Sequence, residues 1–145
     1  MELRIKKLNP SAVIPSYGSA SAAGADLYAC EGGEVTIKSG ETKLIHTGIA
    51  MEIPEGYVGL VYARSGIAVK RGLAPANKVG VIDSDYRGEI MVAIHNHSEI
   101  EQTIADAERI AQIVIAPYLT VDFVETEELD ETERGAGGFG STGTK

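Results

Sequence analysis

Apolar and polar residues alternate with period two along several short stretches of the chain. Ile49, Met51 and Ile53 form one such set, Val58, Leu60 and Tyr62 a second, and Ile90, Val92 and Ile94 a third. Period two is the pattern of a strand with one face toward a core. Turn-forming clusters separate these stretches: Ser16-Tyr17-Gly18, Glu31-Gly32-Gly33, Lys38-Ser39-Gly40, Pro54-Glu55-Gly56, Tyr86-Arg87-Gly88 and His95-Asn96-His97-Ser98. Many short strands between regular turns predict an all-β sandwich or barrel. Two segments also admit a helix. Ser65–Arg71, stopped by Gly72, is long enough for about two turns. Residues 107–116 put Ala107, Ile110, Ala111 and Val114 at helical intervals. However, Ile110, Ile113, Val114 and Ile115 are β-branched and Pro117 follows, so a strand is expected there.

A chain of 145 residues has room for one domain, and 43% apolar residues are enough for a core. No stretch approaches the ~20 apolar residues that span a membrane. The N-terminal MELRIKKLNP has no apolar segment after its charges, and Cys30 has no second cysteine to pair with. A cytoplasmic, intracellular setting is expected on these grounds. The net charge of −8 argues against binding to a nucleic-acid backbone, which requires a basic face. It leaves open a small phosphorylated ligand, for which a few arginines, backbone N–H groups and a divalent cation suffice. Glu125, Glu127, Glu128, Asp130, Glu131 and Glu133 crowd one stretch that reads as a solvated linker. The glycine-rich 134–145 follows it. The expected organisation is a β-rich body over 1–124 and a linker and arm over 125–145.

Five segments carry candidate chemistry, and each has a plain structural reading beside it. Asp26, in Gly24-Ala25-Asp26, reads alone as a turn aspartate bonding its own backbone. Arg64-Ser65-Gly66 follows a strand; Ser65 could simply cap the short helix, or the three could cradle phosphate. Residues 77–90, NKVGVIDSDYRGEI, read as a polar hairpin loop. They also place Asp83 at the end of the 79–82 strand, where a carboxylate could be held against a water as a general base. Asp83 and Asp85 share a side if the extended conformation persists. Arg109 and Gln112 interrupt an apolar run, either as a surface ion pair or as groups that bind phosphate and order carboxylates. The tail offers Arg134, Phe139, Gly140, Ser141 and Thr142. It is a frayed end, or a lid with one aromatic and several donors.

Taken together and in order, these segments resemble the five motifs of the trimeric dUTP pyrophosphatases (dUTPases). GVIDSDYRGEI and RGAGGFGSTG carry most of the specificity, with AERIAQIV between them. The resemblance covers Ala23 to Thr142. It implies a jelly-roll-like β subunit with one short helix and a flexible C-terminal arm. It implies a homotrimer with shared active sites, each closed by an arm from a neighbour. The implied reaction is hydrolysis of dUTP to dUMP and pyrophosphate, which limits uracil incorporation into DNA and supplies dUMP for dTMP synthesis. Asp83 would activate the water, and Tyr86 would lie under the deoxyribose and exclude a 2′-hydroxyl. Gly80 and Met91 would bond the uracil edge from the backbone, with Asn77 nearby. Ser65, Gly66 and Gln112 would hold phosphates, and Arg64 would steady that region. Arg134, Gly140, Ser141 and Thr142 would bind the terminal phosphate, and Phe139 would stack on the uracil. Mg²⁺ would be held mainly by the three phosphates, with Asp26 in contact through water.

Two relatives of that fold remain as alternatives: a dCTP deaminase-like enzyme and a catalytically silent nucleotide-sensing trimer. The chain departs from the family pattern at Ala63, where proline is common, and at Ala107, where glycine is frequent. Alanine resists the positive φ that glycine permits, so backbone positioning at Ala107 is the expected consequence. His95 and His97 share a strand face but lack further ligands for zinc. Cys30 reads as a small buried residue. Tyr17-Gly18-Ser19 is a polar turn tip, and Arg4, Lys6 and Lys7 are expected on a solvent-facing strand.

Overall fold

The computed structural model describes residues 1–139. Twelve strands and one helix follow in order: β1 (Arg4–Lys7), β2 (Ser16–Tyr17), β3 (Ala25–Tyr28), β4 (Val35–Ile37), β5 (Thr42–His46), β6 (Ile49–Glu52), β7 (Tyr57–Tyr62), α1 (Ser65–Arg71), β8 (Leu73–Pro75), β9 (Gly80–Ile82), β10 (Met91–Asn96), β11 (Gln102–Ile104) and β12 (Arg109–Pro117). The architecture is β-rich with a single short helix, as expected for a jelly-roll subunit. The strands form a five-stranded sheet β2-β3-β12-β7-β9, a three-stranded sheet β5-β10-β8, and the pairs β1-β6 and β11-β4. The 107–116 segment is a strand, as its β-branched residues require.

The core is built largely from isoleucine. Ile37, Ile45, Ile49, Ile53, Ile90, Ile94, Ile104 and Ile110 are fully buried together with Leu27 and Leu73. The alternations at 49–53 and 90–94 therefore face inward. The set Val58, Leu60 and Tyr62 faces outward instead: the buried positions of β7 are Gly59 and Val61. The inner face there is already filled, since a Cβ on Gly59 would stand 2.8 Å from Ile53 Cδ1. No side chain fits at Gly59, and Val61 completes the inner face of β7. Cys30 is buried, as expected for a small apolar side chain.

Two polar positions differ from their sequence reading. Asn96 was expected in a turn but closes β10 and is fully buried. Its amide donates to the carbonyls of Ile37 (2.9 Å) and Ile100 (2.8 Å), and its oxygen accepts from the Ser98 backbone and hydroxyl. The group is fully satisfied, which is the condition for burying an amide at little cost. Ser65 is the first residue of α1, not its cap. Arg64 holds the cap position at φ −94° and ψ 130°, with no side-chain cap. Gly72 ends the helix in the left-handed region at φ 66°, as expected.

After β12 the chain leaves the body. Tyr118 donates its backbone N–H to Gly56 at 3.1 Å, and residues 117–136 are all exposed. The acidic stretch is thus solvated over its length.

Ala107 occupies the left-handed region at φ 58°. This conformation crowds the alanine Cβ against the following carbonyl. Ala107→Gly is expected to raise stability by about 0.5–1 kcal/mol. The check is a higher denaturant midpoint at unchanged slope.

Candidate active site

One row of paired residues crosses the five-stranded sheet near one end. Ser16 pairs with Asp26, Asp26 with Gln112, and Gln112 with Tyr62. Directly paired residues point to the same face, so the sheet itself places Asp26 and Gln112 side by side. Arg109 would face the other way by simple alternation from Gln112. A bulge between Arg109 and Ala111 corrects this, because Arg109 pairs with Tyr28 and Gln112 with Asp26. The extra residue restores Arg109 to the Asp26 face.

Asp26 is buried, and both its carboxylate oxygens are engaged. Arg64 Nε donates to Oδ1 at 2.6 Å and an Arg109 guanidinium N–H to Oδ2 at 3.3 Å. It is therefore no turn residue bonding its own backbone. Gln112 donates through Nε2 to the Ala63 carbonyl at 2.9 Å. Gly24 leaves room for it: a Cβ there would stand 2.5 Å from Gln112 Oε1 and would push the amide from its place. These groups, with Ser65 and Gly66, line a cleft of about 200 Å³. Three of the five candidate segments meet there. Gly18, assigned no role from sequence, lines the same cleft together with Ala22. Arg71 anchors the far end of α1, donating to Glu108 and the Thr103 carbonyl, and at 3.2 Å to Gln102.

Asp83 lies elsewhere. It follows β9, is exposed, and its carbonyl closes a turn by accepting the Tyr86 N–H at 3.2 Å. Extended geometry thus ends at Asp83 and does not carry through to Asp85. Residues 77–90 do not form the expected hairpin loop, since 80–82 is itself strand β9. β9 pairs with β7, whereas β10 pairs with β5 and β8. The two strands splay, and a slot of about 210 Å³ opens between them. Leu44, Val81, Ile82, Asp83, Tyr86, Glu89 and Met91 line it. The Tyr86 ring folds over Gly88, where any Cβ would overlap its hydroxyl, and the hydroxyl donates to the Glu89 carbonyl at 3.0 Å. Leu44, Val81 and Glu89 were not singled out from sequence. Leu44 is brought here only by the pairing of β5 with β10, whereas Val81 and Glu89 belong to the same 77–90 segment as Asp83 and Tyr86. Asn77 and Gly80 stand next to each other at the start of β9 but line neither cavity.

Within one chain the cleft and the slot share no residue. Their separation follows from register. Gly59 pairs with Ile82 and Val61 with Gly80, so Asp83 lies beside the start of β7. Arg64 and Ser65 leave from its other end. Six residues of extended chain put the two sites roughly 20 Å apart. Arg134 bonds the Gly137 carbonyl of its own segment at 2.8 Å, and Phe139 is fully exposed. Neither reaches the cleft or the slot. Gly140, Ser141 and Thr142 lie outside the described residues.

The dUTPase family model matches residues 11–143. The chain belongs to the dUTPase family. It is 55% identical over 143 residues to the deoxyuridine 5′-triphosphate nucleotidohydrolase of Nautilia profundicola, covering 99% of each chain. In structure it is similar to the dUTPase of Staphylococcus bacteriophage 80alpha with dUPNHPP, at TM-score 0.91 and 32% identity over 98% of each chain. It is also similar to a mutant dUTPase from phage phi11 of S. aureus, described with a coordinated structural Mg(II) ion. That match has TM-score 0.79 and 28% identity, covering 88% of this chain and 98% of the other. Among the described residues of this dUTPase-family chain no helix is long and apolar enough to cross a membrane, and no group of three His, Cys, Asp or Glu side chains could hold a metal. His95 bonds Thr42 through Nδ1 at 2.8 Å.

Asp26→Asn would leave two guanidinium groups facing a neutral amide in a half-closed cleft. It is expected to cost about 1–3 kcal/mol, read from the denaturant midpoint.

Proposed function

We propose that the chain hydrolyses dUTP to dUMP and pyrophosphate. The observation that carries the reading is the meeting of Asp26, Ser65 and Gln112, from segments distant in sequence, in one arginine-bearing cleft. Such a cleft suits a triphosphate, with Ser65, Gly66 and Gln112 on the phosphates and Arg64 held in place by Asp26. The slot suits a deoxynucleoside. Tyr86 presents a flat ring where the sugar would lie, and Val81, Leu44 and Met91 form apolar walls. Backbone groups around Gly80 and Met91, with Asn77, would bond the uracil edge and leave a donor unpaired against cytosine. Asp83, at the mouth of the slot, would take a proton from water as its oxygen forms a bond to the α-phosphorus. The bond from that phosphorus to the bridging oxygen breaks, and pyrophosphate leaves.

The residues present fit a magnesium ion carried mainly by substrate. Asp26 already has both oxygens bonded to arginine, which suits contact through a water better than direct ligation. When bound with the triphosphate, magnesium supplies neutralisation of the phosphate charge.

The site is completed between subunits of a homotrimer. A base and a phosphate cradle roughly 20 Å apart in one chain cannot both serve one α-phosphate. The outer face of the large sheet carries the apolar partners Val114, Leu60 and Val81 in one row, with Val81 61% exposed. An apolar row of this kind suits burial against another copy. The body 1–124 supplies both half-sites, and the arm 125–145 closes over a neighbour. From 125 to 139 an extended chain reaches roughly 45 Å. Arg134, Gly140, Ser141 and Thr142 would meet the terminal phosphate, and Phe139 the base.

Pyrophosphate release is expected from dUTP and not from UTP, dTTP or dCTP. Asp83→Asn should lower it by about 10²–10⁴-fold while dUTP still binds. Turnover undiminished in Asp83→Asn would sink the assignment of the base. A second test mixes two variants. Asp83→Asn and Gln112→Ala are each expected to be impaired alone. Refolded together they should regain about a quarter of native activity by random assortment in a shared-site trimer. No recovery would place both groups in one chain's site.

A further inference from the structure

The segment that carries the floor of the slot is tied to the turn between β5 and β6, in part through one carboxylate. Glu89 Oε2 accepts from His46 Nδ1 at 2.9 Å, and Oε1 from the Gly48 backbone N–H at 2.8 Å. The next residue continues the tie. Ile90 donates to the Ile49 carbonyl at 2.9 Å and accepts from the Thr47 hydroxyl. Glu89 is also the residue whose carbonyl receives the Tyr86 hydroxyl. His46 does not line the slot; it reaches Tyr86 only through Glu89.

We propose that the His46–Glu89 pair positions Tyr86 and thereby sets how strictly the slot rejects a ribose 2′-hydroxyl. The proposal rests on the dUTP reading of the slot. Shape exclusion requires a ring that does not yield. A hydroxyl is small, so a modest displacement of the ring would admit it, and the ring's one polar anchor is the Glu89 carbonyl. Two bonds to the Glu89 carboxylate fix that carbonyl from the far side. One comes from a backbone N–H and is permanent. The other comes from an imidazole and is strongest when the imidazole is charged.

The charged groups facing His46 are Glu89, from the segment before β10, and Glu31, from the turn after β3. Glu31 also accepts the His46 backbone N–H at 2.6 Å. The hydrogen bond to Glu89, opposed by slight burial and aided by the charges of Glu89 and Glu31, raises the His46 pKa above 6.5. Burial would raise Glu89, but the bonds from His46 and Gly48 outweigh it and hold the carboxyl below its ordinary value. The ion pair is therefore fully formed below pH 6.5. It is lost as pH rises through the raised His46 value, while Glu89 stays ionised throughout. The clamp on Tyr86 tightens toward mild acid and loosens toward alkali.

The test is the ratio of kcat/KM for dUTP to that for UTP, measured from about pH 6 to about pH 9. It is taken for the native protein, His46→Gln and Glu89→Gln. The two substrates share the triphosphate, the uracil and Asp83, so those titrations cancel in the ratio. The native ratio is expected to fall about fivefold across the range, chiefly through a rising kcat/KM for UTP. Both variants should give the lower ratio at every pH. A native ratio independent of pH overturns the proposal, as does a His46→Gln variant that keeps the native pH dependence. The native profile stands without the variants if either fails to fold. Failure of the native protein to turn over dUTP at any pH would overturn the underlying reading as well, a result distinct from turnover with a flat ratio.

Discussion

Two guanidinium groups from different strands converge on the carboxylate of Asp26: Arg64 from the end of β7 and Arg109 from the bulge in β12. A buried carboxylate without such partners would be costly, and two arginines without it would repel each other. The buried carboxylate is tolerable because both arginines reach it. The cleft inherits its shape from this arrangement. Arg64 fixes where α1 begins and hence where Ser65 and Gly66 stand. The register that brings Gln112 opposite Asp26 also aims its amide at the Ala63 carbonyl, one residue before Arg64. Sequence-distant groups are thus locked into one constellation by a charge network closed on itself.

The slot is placed by a different device. The slot exists because β9 and β10 join different sheets, and a loop that would otherwise close a hairpin must bridge the gap. Tyr86 can fold back over that loop only because Gly88 has no side chain. The loop is then fastened at Glu89 and Ile90 to the turn between β5 and β6.

Much of the architecture was legible in the alternation of apolar residues. Core isoleucines at 49–53 and 90–94 faced inward as their spacing required, and Gly72 ended the helix. The motif segments around Asp26, Ser65 and Gln112 were also identifiable as chemistry-bearing. What periodicity could not deliver was pairing. A bulge at Arg109 shifts the face of one arginine, and nothing in ERIAQIV marks it beyond a helix-like spacing that an inserted residue also produces. Val58, Leu60 and Tyr62 alternate as cleanly as a core set yet face outward, because Ile53 and Ile113 already occupy the space inside. The splay between β9 and β10, and with it the roles of Leu44 and Glu89, depends on partners far along the chain. Ala107 is the converse case: a residue type that resists positive φ was expected to matter there, and the backbone is indeed in that region.

The register of β9 on β7 makes β7 a ruler. Its length fixes the gap between Asp83 and the cleft, and in the proposed shared-site trimer a neighbouring copy would have to match that gap. Insertions and deletions therefore divide sharply by position. In exposed turns whose groups bond nothing in the body they change only the surface. Within 57–62 or 80–82, gaining or losing residues would rescale the gap, and no compensating change inside the same chain could restore it. The length of β7 thus matters to both cavities although β7 lines neither of them.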